Sequence, residues 1–295
     1  MRSPVLLRKT LRDVRGMAIG GGATVFVMAL IEVLVYPTYE KSLREFEIPD
    51  AMKGFLGEAE SFATPEGFMS AEIFSWLPLL LITFAIIAGT GTTVGEEGAG
   101  TLDLLLAQPI RRRRLLVEKG VAVALGMGLA WAMALPGLLL GKVFVDFDLG
   151  VGVFAQALLM SYSMILMYIA LALWMGTLLP NRAAAAMVCI GAVVVPYFVY
   201  TIGAAVSDLA FLKKLTPFYW ADASHVFISG FDWLRFGAMM AIAAAFFGLS
   251  LWNFERRDIT AGTREWSVRS ALAARFPAWR HTLADPPDAA AHPHG

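Results

Sequence analysis

The sequence predicts an all-α, polytopic membrane protein with six transmembrane helices and both termini in the cytoplasm. Of its 295 residues, 58% are hydrophobic and 16% are charged, a composition too apolar for a soluble domain of this size. Six apolar stretches reach the roughly 20 residues needed to cross ~30 Å of hydrocarbon. Basic residues gather in alternate connections between these stretches, as expected for a chain that crosses the membrane repeatedly.

The predicted spans form a permease domain over residues 17–254. Their approximate ranges are 17–36, 73–92, 120–141, 153–179, 183–206 and 236–254. The first apolar run is about as long as a span and has no convincing small-residue cleavage site, so we expect it to remain in the protein.

The distribution of Lys and Arg predicts the topology. Seventeen of the 24 lie at the termini or in the second and fourth connections, and seven lie in the other connections. The positive-inside rule therefore places both termini in the cytoplasm. The net charge is zero, and this argues against nucleic acid as a partner.

The segment 1–16 has the pattern of an amphipathic helix. One stripe is apolar and a neighbouring stripe is basic: Leu7, Leu11 and Val14 against Arg8, Arg12 and Arg15. The pattern predicts an interfacial helix with its apolar face among lipid headgroups, or else a plain basic anchor. At the other terminus, residues 255–295 are predicted to form a cytoplasmic tail that is partly disordered.

Small residues and prolines mark several spans. In the third span, small residues recur every four positions: Ala122, Gly126, Ala130 and Ala134. This stripe permits close helix contact, either within the bundle or between permease copies. Prolines interrupt the second, third and fifth spans and predict kinks there: Pro78, Pro136 and Pro196.

The connection between the second and third spans, residues 91–119, is a charged island between apolar segments. Thr101 can cap a helix that Pro109 prevents from continuing, after a flexible glycine-rich start. On this short helix Leu102, Leu105 and Leu106 share one side, with Asp103 off the stripe. The stripe could instead pack under the bundle, Arg111–Arg114 could serve only as positive-inside anchors, and Glu96 and Glu97 could simply be solvated.

These residues resemble the type-2 ABC exporter (ABC-2 type) permeases, in which this connection reads approximately E-E-x-x-G-T-L-x-L-L-L-x-x-P-x-x-R with a Lys a few residues later. The matching positions are Glu96, Glu97, Gly100, Thr101, Leu102, Leu104, Leu105, Leu106, Pro109, Arg112 and Lys119. The similarity extends to 65–68, 216–219 and 254–259, and so covers nearly the whole chain to about residue 260. Gly98 and Ala99 depart from it, since relatives often carry further charges there.

The resemblance implies that residues 101–109 form the coupling helix. Its implied ATPase-coupling residues are Glu96, Glu97, Gly100, Thr101, Leu102, Asp103, Leu105, Leu106, Pro109 and Arg112. The implied partners are two ABC ATPase subunits and a second copy of this permease or a homologous one, all at a lipid membrane. ATP and Mg would bind in the partner ATPase. The chain has no GxxxxGK[ST] phosphate loop, so we expect it to be no enzyme itself.

The predicted function is ATP-driven export of a hydrophobic or amphipathic compound, such as a drug, antibiotic, lipid or peptide, through a bacterial or archaeal plasma membrane. A secondary transporter or channel would instead need ionisable groups near the bilayer midplane. Glu32 is the one clear candidate for a substrate pathway, and it lies toward the outer end of its span. A non-transport role in assembly or signalling is a further alternative.

No catalytic, cofactor or metal site is predicted. The four histidines lie in an external connection or in the tail: His225, His281, His292 and His294. None of them can meet a haem or a metal ion at membrane depth.

Overall fold

A computed structural model of the chain describes residues 5–45, 64–92 and 112–256. Six helices in these ranges are long and apolar enough to cross a membrane, and the described residues contain no strand. The predicted all-α, six-span fold is therefore confirmed. The spans are Leu7–Ser42, Pro65–Thr90, Arg112–Phe144, Val151–Leu178, Arg182–Ala205 and Trp233–Arg256, named spans 1 to 6 below.

Span 1 belongs to one uninterrupted helix, Val5–Glu45. The helix continues without a break through residue 16, where the predicted amphipathic segment ends, because no residue between Val5 and Pro37 lacks a backbone donor. Its 41 residues extend for about 60 Å, twice the hydrocarbon thickness. Val14, from the predicted headgroup-facing stripe, is 2% exposed and packs against span 3. A headgroup position for the start of this helix stays a prediction.

Spans 1 and 3 run parallel and in close contact. Three contacts show this: Val14 packs on Gly126, Gly22 on Ala130, and Val33 on Gly141. Residue numbers rise in the same direction along both helices, so the helices are parallel. The predicted small-residue stripe of span 3 is buried at all four positions. At Gly126 and Ala130 the neighbouring helix is span 1, so the stripe makes contacts within the bundle.

Span 4 is the centre of the bundle. Of its most apolar window, 78% is buried inside the chain, against 11% for span 5 and 17% for span 6. Close approach again depends on glycine: a Cβ on Gly89 of span 2 would lie 2.7 Å from the Cβ of Ala172 in span 4. Spans 5 and 6 are therefore peripheral helices with most of their surface turned away from the core.

Two of the three predicted prolines break a helix. Span 2 begins at Pro65–Met69, where the Thr64 side chain caps the first turn, continues through a π-helical turn at Ser70–Phe74, and restarts at Leu77–Thr90 with Pro78 in the first turn. Span 3 consists of Arg112–Ala132 and Ala134–Phe144, and its break lies one turn before Pro136. Both breaks agree with the loss of backbone donors at proline. Pro196 stays within the span 5 helix Arg182–Ala205.

Residues 207–232, named the outer segment, connect spans 5 and 6. They contain a 3₁₀ turn at Ser207–Leu209 and short helices at Ala210–Lys213, Pro217–Trp220 and Ala223–Ser229. Gly230 ends the last of these with φ +81°, which favours glycine. Following the predicted topology, we name this the outer end of the bundle and the opposite end, where residues 93–111 connect spans 2 and 3, the inner end.

Candidate functional site

The predicted coupling helix lies outside the described residues. The same holds for nine of the predicted coupling residues: Glu96, Glu97, Gly100, Thr101, Leu102, Asp103, Leu105, Leu106 and Pro109. Arg112 is described; it is the first residue of the span 3 helix and is partly buried. Residues 93–111, which contain the predicted coupling helix, are named the coupling segment below. The structure defines the residues on either side of this segment, Thr92 and Arg112, and the side chains around them.

Lys119 ties span 3 to the end of span 2. Its Nζ donates a hydrogen bond of 2.7 Å to the carbonyl oxygen of Thr92, and the residue is only 3% exposed. The last carbonyls of a helix lack intrahelical donors and carry partial negative charge, so a buried ammonium is well placed there. Lys119 thus holds the last described residue before the coupling segment.

Arg182 supplies a second cation to the same helix end. Its Nη2 donates to the carbonyl oxygen of Ile87 at 3.1 Å, and a Cβ on Gly91 would lie 3.3 Å from that nitrogen. Arg182 begins span 5, where the Asn181 side chain caps the helix by accepting from the N–H of Ala184 at 2.8 Å. The end of span 2 is therefore held by basic side chains from two other spans.

Glu118 connects span 3 to the start of the first helix. One carboxylate oxygen accepts from the backbone N–H of Leu7 at 3.3 Å, and the other lies 2.6 Å from Nε of Arg114. A carboxylate at a helix N-terminus satisfies an unpaired N–H and complements the helix dipole. We name Glu118, Lys119 and Arg182 the inner-end clamp, because together they join spans 1, 2, 3 and 5 where the coupling segment departs.

The surface beside the clamp is strongly basic. Six Lys and Arg side chains from the first three turns of the helix Val5–Glu45 and the first turn of span 3 are exposed there: Arg8, Lys9, Arg12, Arg15, Arg113 and Arg114. Because Glu118 joins the two helix starts, these charges form one positive surface instead of two. Such a surface suits anionic headgroups or an acidic protein face. It agrees with the predicted cytoplasmic position of this end, which stays a prediction.

Glu32 lies on span 1, far from the clamp. It is partly buried and interacts electrostatically with Glu72, in the π-helical turn of span 2. The neighbouring Val33 packs on Gly141, near the outer end of span 3. The position toward the outer end agrees with the sequence; a role in a substrate pathway stays a prediction.

At the outer end, Arg235 fastens the outer segment to span 6. Its guanidinium donates to the carbonyl and hydroxyl oxygens of Tyr219, both at 3.1 Å, and its Cζ lies 4.5 Å from the centre of that ring. Nε of Arg235 also lies 3.4 Å from the carboxylate of Asp232. These contacts define the position of the Pro217–Trp220 helix against span 6.

Asp232 caps the N-terminus of span 6. Its carboxylate accepts from the N–H groups of Leu234 at 2.9 Å and of Arg235 at 3.2 Å, and it lies 3.6 Å from Nε2 of His225. The bond from the Arg235 backbone, followed by the Leu234 bond and the charges of Arg235 and His225, holds the pKa of Asp232 below its usual value. Partial burial opposes this shift without reversing it.

Replacing Asp232 by Ala should lower the melting temperature of the purified chain by about 2–4 °C, because the helix loses its cap. Asp232→Asn should cost less at neutral pH, since Asn also caps. Because the folded-state pKa is lowered, the contribution of the charge is present above the ordinary pKa and disappears as the pH falls through the lowered value. Thermal unfolding of native and Asp232→Asn chains should therefore converge at acidic pH; a constant difference would contradict this role.

Sequence reasoning missed two members of the clamp. Arg182 counted only as a basic residue in a short connection, and Glu118 was not singled out. A signal was available for Glu118, the only acidic residue among the basic residues 111–119. For Arg182, no local pattern indicates a bond to a helix 95 residues earlier.

Among the described residues, no group of His, Cys, Asp and Glu is arranged to hold a metal ion.

The six spans and the clamp define the class of protein. It is a multi-pass membrane protein in which the inner ends of four spans are held together beside the connection between spans 2 and 3. The family model described as ABC-2 family transporter protein matches residues 6–259. The chain belongs to this family and is a permease component of an ABC transporter, which works with ATPase partner subunits. No curated protein was found to match the chain.

Proposed function

We propose that the chain is the permease subunit of an ATP-driven exporter, with two ATPase subunits and a second permease copy or homologue, in the plasma membrane of a bacterium or archaeon. ATP and Mg bind in the ATPase subunits. The observation that carries the proposal is the inner-end clamp. Its three side chains join four helix ends at the two points where the proposed ATPase-docking segment leaves the bundle.

The clamp supports a route by which movement of the ATPase subunits reaches the spans of the permease. When the ATPase pair closes around ATP, it displaces the docked coupling segment. Lys119 and Arg182 hold the end of span 2 to spans 3 and 5, so that a displacement of Thr92 is passed to several helices at once. The free energy comes from the difference in ATPase contacts between the two permease states.

The described interior supports a hydrophobic or amphipathic cargo. Among the described residues, Lys119 is the only charged residue in the buried class, and it lies at the inner end. The buried polar residues are otherwise hydroxyl side chains, among them Ser161 and Ser163 on the central span. Ion-coupled transport normally requires ionisable groups near the midplane, so the exporter reading is favoured over a secondary transporter.

Co-purification tests the proposal first. The full chain expressed with an ABC ATPase of the same organism should yield a stable complex that releases phosphate from ATP. Recovery of the chain without any ATPase would contradict the proposal.

Leu105→Asp and Leu106→Asp should each abolish permease-dependent ATP hydrolysis while leaving membrane insertion intact. An Asp in the leucine stripe would bring an uncompensated carboxylate into an apolar contact, which is strongly unfavourable. Phosphate release by the complex is the measurement. Leu104→Asp is the matched control, since at helical spacing it lies on the other side of the segment. Native hydrolysis in both stripe variants would exclude this docking surface.

A further inference from the structure

Pro196 removes a backbone donor in the middle of span 5. The helix Arg182–Ala205 continues through it, so the carbonyl of Ala192, four residues earlier, has no N–H partner in its own helix. In a membrane, such a carbonyl must find another donor, because no water is available in the hydrocarbon region.

Tyr168 of span 4 supplies that donor. Its hydroxyl donates to the carbonyl oxygen of Ala192 at 3.0 Å, and the residue is 1% exposed. Tyr162, on the same span, makes a similar bond of 2.6 Å to the carbonyl of Ala124 in span 3. The residue four positions after Ala124 is Gly128, which has a backbone N–H, so the Tyr162 bond is additional. The Tyr168 bond replaces one that proline has removed.

The outer half of span 5, after Pro196, is attached to the outer segment. The rings of Tyr197 and Tyr200 lie 5.5 and 6.2 Å from that of Phe218, and the Tyr200 hydroxyl donates to the Asp222 carboxylate at 3.3 Å. A Cβ on Gly203 would lie 2.9 Å from the backbone nitrogen of Lys213. A change of angle at Pro196 would therefore carry the outer segment with it.

The inner half of span 5 is attached elsewhere. Arg182 binds the end of span 2, and Ala185 and Cys189 are fully buried. Between these attachments most of the helix surface has little packing, with Met187 68% and Val195 63% exposed. The two halves thus have different partners and meet at a proline, which is the arrangement of a hinge.

We propose that Tyr168 is a positioning residue that fixes the angle of span 5 at Pro196 and thereby the position of the outer segment. Proline leaves one carbonyl of span 5, that of Ala192, without its helical donor. The Tyr168 hydroxyl bonds this carbonyl and so connects span 5 to span 4, the most buried span of the bundle. Movement of this hinge during transport rests on the proposed function; the hydrogen-bonded hinge itself does not.

A distance measurement across the hinge tests the proposal. Spin labels at Met187→Cys and Phe211→Cys, in a Cys189→Ala background, report the separation of the inner half from the outer segment by pulsed electron paramagnetic resonance. Both label sites are more than 60% exposed. The full chain is measured in nanodiscs, diluted with unlabelled chain and without ATPase.

Tyr168→Phe should raise the population of a second distance by roughly threefold to tenfold, the effect of losing one interhelical hydrogen bond in a membrane. Pro196→Ala restores an N–H to Ala192, so the double variant Tyr168→Phe, Pro196→Ala should keep a single narrow distance. Tyr162→Phe is the matched control and should leave the distribution unchanged. A native distribution in Tyr168→Phe, or equal broadening with and without Pro196, would overturn the proposal.

The same labelled chain separates this proposal from the proposed function. With the ATPase subunits present, ATP should shift the native distance distribution. The absence of an ATP-dependent shift would count against hinge movement in transport, whereas the Tyr168 and Pro196 comparison is made without any ATPase and stands or falls on its own.

Discussion

Gly137→Ala should destabilise the bundle by about 3 kcal/mol or more, the upper range for overpacking a tight contact. A Cβ at this position would lie 2.5 Å from the carbonyl oxygen of Phe26 and 3.0 Å from the Cβ of Ala29. Both atoms are fixed to the backbone of span 1 and cannot rotate away. Relieving the clash would require spans 1 and 3 to separate. The separation would also remove much of the extensive contact between these two helices.

Thermal stability and the monodisperse yield of the purified chain measure this effect. The matched control is Gly248→Ala in span 6, where a Cβ would meet nothing within 4 Å. That variant should be neutral or more stable by up to about 1 kcal/mol, because alanine is the better helix former. Equal stability of the two variants would contradict the proposed close approach of spans 1 and 3.

Lys119→Met should lower permease-dependent ATP hydrolysis by about 10- to 100-fold. Methionine keeps the apolar stem but removes the charged donor that binds the Thr92 carbonyl at 2.7 Å. A hydrogen bond from a charged group contributes about 1.5–3 kcal/mol, and each 1.4 kcal/mol corresponds to a factor of ten. Without it, the end of span 2 is no longer held to span 3 where the coupling segment begins.

Phosphate release by the co-purified complex gives the readout, with recovery of the ATPase as a measure of assembly. Lys142→Met is the control: its Nζ also donates to a backbone carbonyl, that of Leu149, at 2.7 Å, but at the outer end of span 3. We expect near-native hydrolysis in this variant. An intact Lys119→Met complex with native hydrolysis would remove Lys119 from the coupling route.

Sequence patterns predicted the spans well and their ends less well. The structure extends span 3 back to Arg112 and span 2 back to Pro65, eight residues outside each predicted start. A helix need not end where its apolar window ends, because polar residues can continue it beyond the hydrocarbon region. At Pro65 the Thr64 cap and the proline in the first turn provide the start.

Local sequence patterns can predict a helix but not the partner of a side chain. The spacing of Thr101, the leucine stripe and Pro109 predicts a short helix, and this segment lies outside the described residues. Lys119 matches the motif of the type-2 ABC exporter permeases, yet nothing local indicates that its partner is the carbonyl of Thr92. That bond depends on how spans 2 and 3 pack side by side.

The sequence by itself determined the class of this protein, because hydrophobic length and basic residues decide which segments enter a bilayer before any of them pack. It also placed the prolines that break spans 2 and 3. Only the tertiary structure decided which side-chain donor reaches each of three backbone carbonyls: Lys119 at Thr92, Arg182 at Ile87 and Tyr168 at Ala192. These partners lie 24 to 95 residues apart, and their meeting depends on the rotation and depth of whole helices, which the periodicity of a single segment does not specify.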